Sequence, residues 1–257
     1  MINFERKELY DVYDLAELFR LLRSEGGCPW DRAQTHASIR RNMIEEAYEA
    51  AEAIDSGSPD RLRDELGDVL MQVVLHAQME TETGTFSLND VADGACRKLI
   101  DRHPHLFGGA DAPVDWEELK RQQRGQALQS DAMDDVSRAL PALWQADKLQ
   151  AKAARTGFDW PDALRACSKI EEETDELRRA LQGDGNVREE LGDLLFAVVS
   201  AGRLAGIDPE EALCAACAKF RRRFRAVEEA AAAGDKPMSD LTLEEWIARW
   251  KAAKENS

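Results

Sequence analysis

Apolar side chains recur along this chain at the three- and four-residue spacing of helices, and runs of β-branched residues are scarce. From Glu8 to Ser24, Leu9, Val12, Leu15, Leu18, Phe19 and Leu22 share one helical face, with charged residues on the other. Gly26, Gly27 and Pro29 mark a loop over 25–35. Helices are predicted over 36–55 and 60–83, joined by a turn at Gly57 to Pro59 and ended near Gly84. Ser87 is the expected cap of a further helix to Arg102, stopped by His103-Pro104. A second series is predicted over 143–155, 161–182, 187–204, 209–233 and 243–254, with Asp208 as cap and Pro209 opening the fourth. The expected class is all-α.

The two series repeat one another. Leu66-Gly67-Asp68-Val69-Leu70 followed by Val73-Val74 matches Leu191-Gly192-Asp193-Leu194-Leu195 followed by Val198-Val199. Cys28-Pro29-Trp30-Asp31 corresponds loosely to Gly157-Phe158-Asp159-Trp160-Pro161, and Trp116-Glu117-Glu118-Leu119-Lys120 to Trp250-Lys251-Ala252-Ala253-Lys254. The organisation expected is a duplicated domain: 1–125, a polar linker at 126–141, and 142–257.

Carboxylates are what the repeat keeps most faithfully. Glu45, Glu46 and Glu49 precede Glu65 and Asp68; Glu172, Glu173 and Glu176 precede Glu190 and Asp193. The intervening 15 and 13 residues leave room for a turn between antiparallel helices. Positions i, i+3 and i+4 share a helical face, so each copy is expected to aim five acids at one spot. Like charges so spaced repel by roughly 0.2–0.5 kcal/mol per pair even when exposed. A hard divalent cation is the natural counter-charge. One such motif alone reads as a solvated surface; two whole constellations in one apolar framework read as metal sites.

Charge and composition narrow the function. The net charge of −16 and pI near 4.8 argue against a nucleic-acid backbone as partner, whereas a small polyphosphate can still bind through bridging metal ions. No run of 18 apolar residues is present to span a membrane, and residues 1–10 are charged throughout, unlike a signal peptide. Five cysteines without a disulfide-like spacing fit the reducing cytoplasm, and Cys214 and Cys217 read as core residues of a helix. A di-iron carboxylate bundle would need Glu-x-x-His on two helices, which the four histidines do not supply. A γ-phosphate-cleaving ATPase would need a P-loop, and there is no Gly-Lys-Ser/Thr.

Gly27-Cys28-Pro29-Trp30-Asp31, Glu45-Glu46-x-x-Glu49, Asp64-Glu65-Leu66-Gly67-Asp68, Arg102-His103-Pro104-His105-Leu106-Phe107, Gly157-Phe158-Asp159-Trp160 and Glu190-Leu191-Gly192-Asp193 together resemble the MazG family in its two-domain form. The resemblance spans about residues 8–255. It implies tandem four-helix domains, usually dimeric, that use Mg²⁺ (with Mn²⁺ as substitute) to hydrolyse nucleoside triphosphates to the monophosphate and pyrophosphate. On that resemblance Glu173, Glu176, Glu190 and Asp193 are metal ligands, with Glu45, Glu46, Glu49, Glu65 and Asp68 as the N-terminal counterparts. Glu172, rotated about 100° from Glu173, is assigned as an outer ligand or the base that orients water. Lys169, Lys219, Arg222 and Arg223 are candidate phosphate contacts, and Trp250 a base-stacking or pocket-capping residue. Asn42 stands where the second copy has Lys169, so the second domain is expected to be the main catalytic one. The competing reading is a non-catalytic, metal-dependent nucleotide sensor or regulatory partner.

Overall fold

The computed structural model describes residues 4–108, 121, 124–125, 128–232 and 238–255. Among these residues the regular structure is helical throughout. Two compact units divide the chain, Met1–Leu119 and Lys120–Ser257. The tryptophan segment at 116–120 lies outside the described residues.

In unit 1 the helices are α1 (Val12–Arg23), α2 (Pro29–Ala33), α3 (His36–Ser56), α4 (Pro59–Thr83), α5 (Leu88–Arg102) and α6 (Pro104–Phe107). The periodicity predicted α1 from Glu8, but it starts at Val12 because Asp11 caps it. The Asp11 carboxylate accepts from the backbone N–H of Tyr13 and Asp14, and the Asp14 side chain closes the box. The loop after α1 turns tightly: Cys28 N–H donates to Leu22 O at 2.7 Å, and a Cβ on Gly27 would stand 2.2 Å from that oxygen. Only glycine fits there. The loop also contains α2, which opens on Pro29 at its first turn.

The two long helices of unit 1 carry the first set of acids. Thr35 caps α3, and Gly57 ends it in the left-handed conformation, φ 65°. Ser58 and Pro59 then start α4 at once. This short turn folds α4 back on α3, so the second half of α3 faces the first half of α4. Farther along, Phe19, Ile39, Val74, Leu75 and Met79 form the core of the unit. Ser87 caps α5 as expected, accepting from Asp90 N–H.

Unit 2 contains α7 (Gln129–Asp134), α8 (Ala142–Ala154), α9 (Ala163–Leu181), α10 (Val187–Leu204), α11 (Pro209–Ala232) and α12 (Leu243–Glu255). Within the stretch expected as linker, α7 packs on α8, and Ala132 is buried. Asp162 caps α9 and Asn186 caps α10. The two helices pack against each other along their length, as α3 and α4 do. Trp144 of α8 donates its Nε1–H to Asp208, whose carboxylate also accepts from Glu210 and Glu211 N–H at the start of α11. Many buried residues of this unit are small: Ala146, Ala166, Ala180, Ala197, Val199, Val227, Ala231 and Ala253. Small side chains let helix backbones approach closely. Cys214 and Cys217, expected in the core, are exposed on α11, because Val227 and Ala231 supply its buried positions.

Candidate active site

The carboxylates meet between the middle or second half of the first helix of each pair and the first half of the second. In unit 2, Glu173 of α9 and Glu190 and Asp193 of α10 each offer an oxygen within 4.8 Å of the others. In unit 1 the corresponding set is Glu46 and Glu49 of α3 and Glu65 of α4. Three of the five expected acids converge in this way in each copy, and the sets differ: unit 1 includes Glu49 and not Asp68, unit 2 includes Asp193 and not Glu176, with the remaining acids close by.

Two nearby groups make themselves felt electrostatically. Burial and the charges of Glu176, Glu173 and Asp193 push the Glu190 carboxyl above its ordinary value. Burial and the charges of Asp68, Glu49, Glu65 and Glu45 do the same to Glu46. Glu176 and Asp68 therefore border their clusters. Glu176 also pairs with Arg179 at 3.3 Å.

The first glutamate of each motif turns to a cation one helical turn earlier. Arg41 pairs with Glu45 at 2.7 Å. Lys169 Nζ lies 2.8 Å from Glu172 and 2.6 Å from Glu173, bridging both. These contacts hold the Lys169 pKa well above its usual value. Glu172 is exposed, while Glu173 is buried. Glu173 Oε1 is met by Lys169, but Oε2 is buried without a hydrogen-bond partner. A buried carboxylate oxygen without a donor is costly unless a cation meets it. All the donors here are hard carboxylate oxygens, the type that Mg²⁺ and Ca²⁺ prefer. The residues therefore fit a hard divalent ion.

Glu173 and Asp193 also belong to the wall of a cavity of about 660 Å³ in unit 2. Lys169 lies on the same wall, and Leu149, Phe158, Trp160 and Phe196 give it an apolar side. The volume lies within the range of small-ligand sites. A smaller cavity in unit 1, about 240 Å³, is lined by residues such as Tyr13, Arg20 and Gln78, none of them from its acid cluster.

Sequence reasoning missed several wall residues. Gln150 and Arg203 line the cavity, and Arg203 pairs with Asp159 at 2.5 Å. The contact holds the Asp159 carboxyl below its ordinary value. Arg203 follows Asp193 by ten residues in α10, a spacing that sets it about 80° round the helix and does not single it out. Lys219, Arg222 and Arg223 are on α11, with Lys219 and Arg222 exposed, and none of them is part of the cavity wall. Trp250 of α12 lies against Phe220 of α11, ring centres 5.1 Å apart.

Fold and site together define a class: an all-α protein built of repeated helix pairs, each bearing a carboxylate cluster suited to a divalent metal. A family model for the MazG nucleotide pyrophosphohydrolase domain matches residues 34–107 and again 157–227. The chain belongs to the MazG family. It is 42% identical over 245 residues to the Thermotoga maritima nucleoside triphosphate pyrophosphohydrolase/pyrophosphatase MazG, covering 94% of each chain. It is 42% identical over 245 residues to the Escherichia coli nucleoside triphosphate pyrophosphohydrolase, covering 91% of this chain and 93% of that one. With the Mycolicibacterium smegmatis protein of the same name it shares 35% over 260 residues, covering 96% and 71%. No helix among the described residues is long and apolar enough to cross a membrane.

Proposed function

We propose that this chain is a Mg²⁺-dependent nucleoside triphosphate pyrophosphohydrolase that works mainly from unit 2, releasing the monophosphate and pyrophosphate. The observation that carries this reading is the joining of cluster and cavity, since Glu173 and Asp193 belong to both. Glu173, Glu176, Glu190 and Asp193 would hold the metal. When bound, the ion neutralises phosphate charge and lowers the pKa of a coordinated water. The chain's own side chains bind and orient. Lys169, on the cavity wall, meets a phosphate oxygen. Glu172, which holds Lys169 from its exposed side, is an outer group that orients water. Lys219, Arg222 and Arg223 lie outside the cavity wall and would reach only phosphates that extend beyond it. Phe158, Trp160 and Phe196 exclude water from the bound substrate. The nucleotide names carried by the relatives support this reading.

The same reading includes a homodimer. Met43, Ile44 and Tyr48 of α3, Leu66 and Leu70 of α4, and Leu191, Leu195 and Val198 of α10 are all more than a third exposed. Apolar exposure on that scale supports burial against a second copy. Sedimentation equilibrium checks it, and a strictly monomeric chain would refute it.

The central test is incubation with canonical and modified ribo- and deoxyribonucleoside triphosphates and Mg²⁺, with products separated by chromatography. Monophosphate and pyrophosphate are expected. Diphosphate and orthophosphate would overturn the reading. Mg²⁺-dependent nucleotide binding without turnover would favour a sensor.

A further inference from the structure

We infer that Gln150 reads the edge of the nucleobase and so sets which triphosphates this chain accepts. The inference rests on the proposed triphosphate chemistry. Gln150 belongs to α8, which packs on the acid helix α10, and it lines the cavity that also contains Glu173 and Asp193. It is a buried polar residue, 8% exposed. Its Nε2 donates to the backbone oxygen of Phe196 at 2.8 Å. A carbonyl accepts only from the amide nitrogen, so this bond fixes which end of the side chain is which. The remaining atom, Oε1, is buried and has no hydrogen-bond partner.

Buried acceptors are nearly always satisfied, and an unmet one asks for an explanation. Two other wall residues share the condition: Glu173 Oε2 and Arg203 Nε are also buried without partners. Glu173 belongs to the metal cluster, and Arg203 is held by Asp159. Gln150 Oε1 has neither explanation. Its surroundings in the cavity, Leu149, Phe158, Trp160 and Phe196, suit a flat ring with apolar faces. A phosphate at neutral pH offers an amide oxygen no N–H donor. A base edge does: the exocyclic amine of adenine and cytosine, or a ring N–H of guanine and uracil. The ribose hydroxyls are the other donors a nucleotide brings.

The test compares kcat/KM of the wild-type chain, with Mg²⁺, across matched triphosphates. ATP and CTP are set against the triphosphates of purine riboside and pyrimidin-2-one riboside, which lack the amine and add no bulk. UTP is set against 3-methyl-UTP. ATP is set against 2′-deoxy- and 3′-deoxy-ATP. Removing the base donor leaves Gln150 Oε1 unmet, so kcat/KM is expected to fall roughly tenfold to a hundredfold. Removing a ribose hydroxyl is expected to matter little. In Gln150→Met, folded by circular dichroism and thermal melting, each base pair of substrates should converge. Equal rates for a base and its donor-free analogue in the wild type would overturn the inference, whether or not the variant folds. So would a loss that follows the hydroxyls instead, or discrimination retained in Gln150→Met. Those outcomes leave the pyrophosphohydrolase reading intact. Absence of turnover with every triphosphate would overturn both.

Discussion

Lys169 Nζ lies 2.6 Å from Oε1 of Glu173, a glutamate whose side chain is 6% exposed and whose other oxygen has no partner. The lysine answers one oxygen of a carboxylate that the fold has taken out of water. It does so from the helical turn before the metal cluster. Unit 1 has Asn42 at this place, and there Arg41 pairs with the exposed Glu45 instead.

From this pair comes the first prediction. Lys169→Met should destabilise the protein in chelator by about 1–3 kcal/mol, because it strips the partner from a buried charge. The lysine is itself one-third exposed, 33%, which keeps the figure below that of a fully buried pair. Saturating Mg²⁺ should return much of the loss, since an ion that binds only the native state stabilises it. Urea titrations in chelator and in Mg²⁺ check this. An equal loss in both conditions would separate Lys169 from the metal site.

The fold was largely legible in the sequence because helical periodicity and capping residues are local signals. The acid helices 36–55 and 60–83 emerge as His36–Ser56 and Pro59–Thr83, with Thr35, Ser58 and Pro59 fixing where they start. Where Asp11 outbid the apolar period, the predicted first helix began too early. The acids of the candidate site stood out because they recur twice. What spacing did not give is direction. Glu45 and Glu172 sit next to the convergent acids in sequence, yet each turns to a cation one turn back. Gln150 and Arg203 escaped notice because a single polar residue in a helix carries no signal until the cavity around it is known.

The Asp159–Arg203 pair has a pH signature. Arg203 holds the Asp159 carboxyl below its ordinary value of 3.8, so the pair contributes stability above that value. The contribution disappears as pH falls through the depressed folded-state value. Asp159→Asn should therefore cost about 1.5–3 kcal/mol at neutral pH, where the carboxylate is charged. The gap should begin to narrow as pH falls below 3.8 and close only once pH is below the depressed folded-state value. Unfolding curves of both proteins at several pH values test this, and a gap independent of pH would show that the charge is immaterial.

Trp250 offers a choice between packing and substrate contact. Its ring meets Phe220 at 5.1 Å, and one turn earlier Trp246 stacks on Phe224 at 6.2 Å, so two aromatic pairs fasten α12 to α11. Trp250→Ala should then cost about 2 kcal/mol with or without nucleotide. Trp250→Phe should restore most of the stability and leave KM unchanged. A raised KM in a stable Trp250→Phe would instead make the ring a substrate contact.

The last prediction concerns which unit does the chemistry. Both units present three convergent carboxylates, so ligand supply does not separate them. Their surroundings do. The unit 2 cluster opens on the larger cavity and carries Lys169, whereas the smaller cavity of unit 1 is walled by other residues than its acids. Glu176→Ala and Asp193→Ala should lower turnover by about a hundredfold or more, because each removes a carboxylate from the proposed metal site. Glu49→Ala and Asp68→Ala should cost less than about tenfold, through assembly or stability and not through the reacting centre. Single-turnover rates with saturating Mg²⁺ separate a chemical defect from slow product release. Thermal melting of each variant guards against simple unfolding. The reverse order of effects would move the reaction to unit 1 and leave the cavity of unit 2 to a regulatory nucleotide.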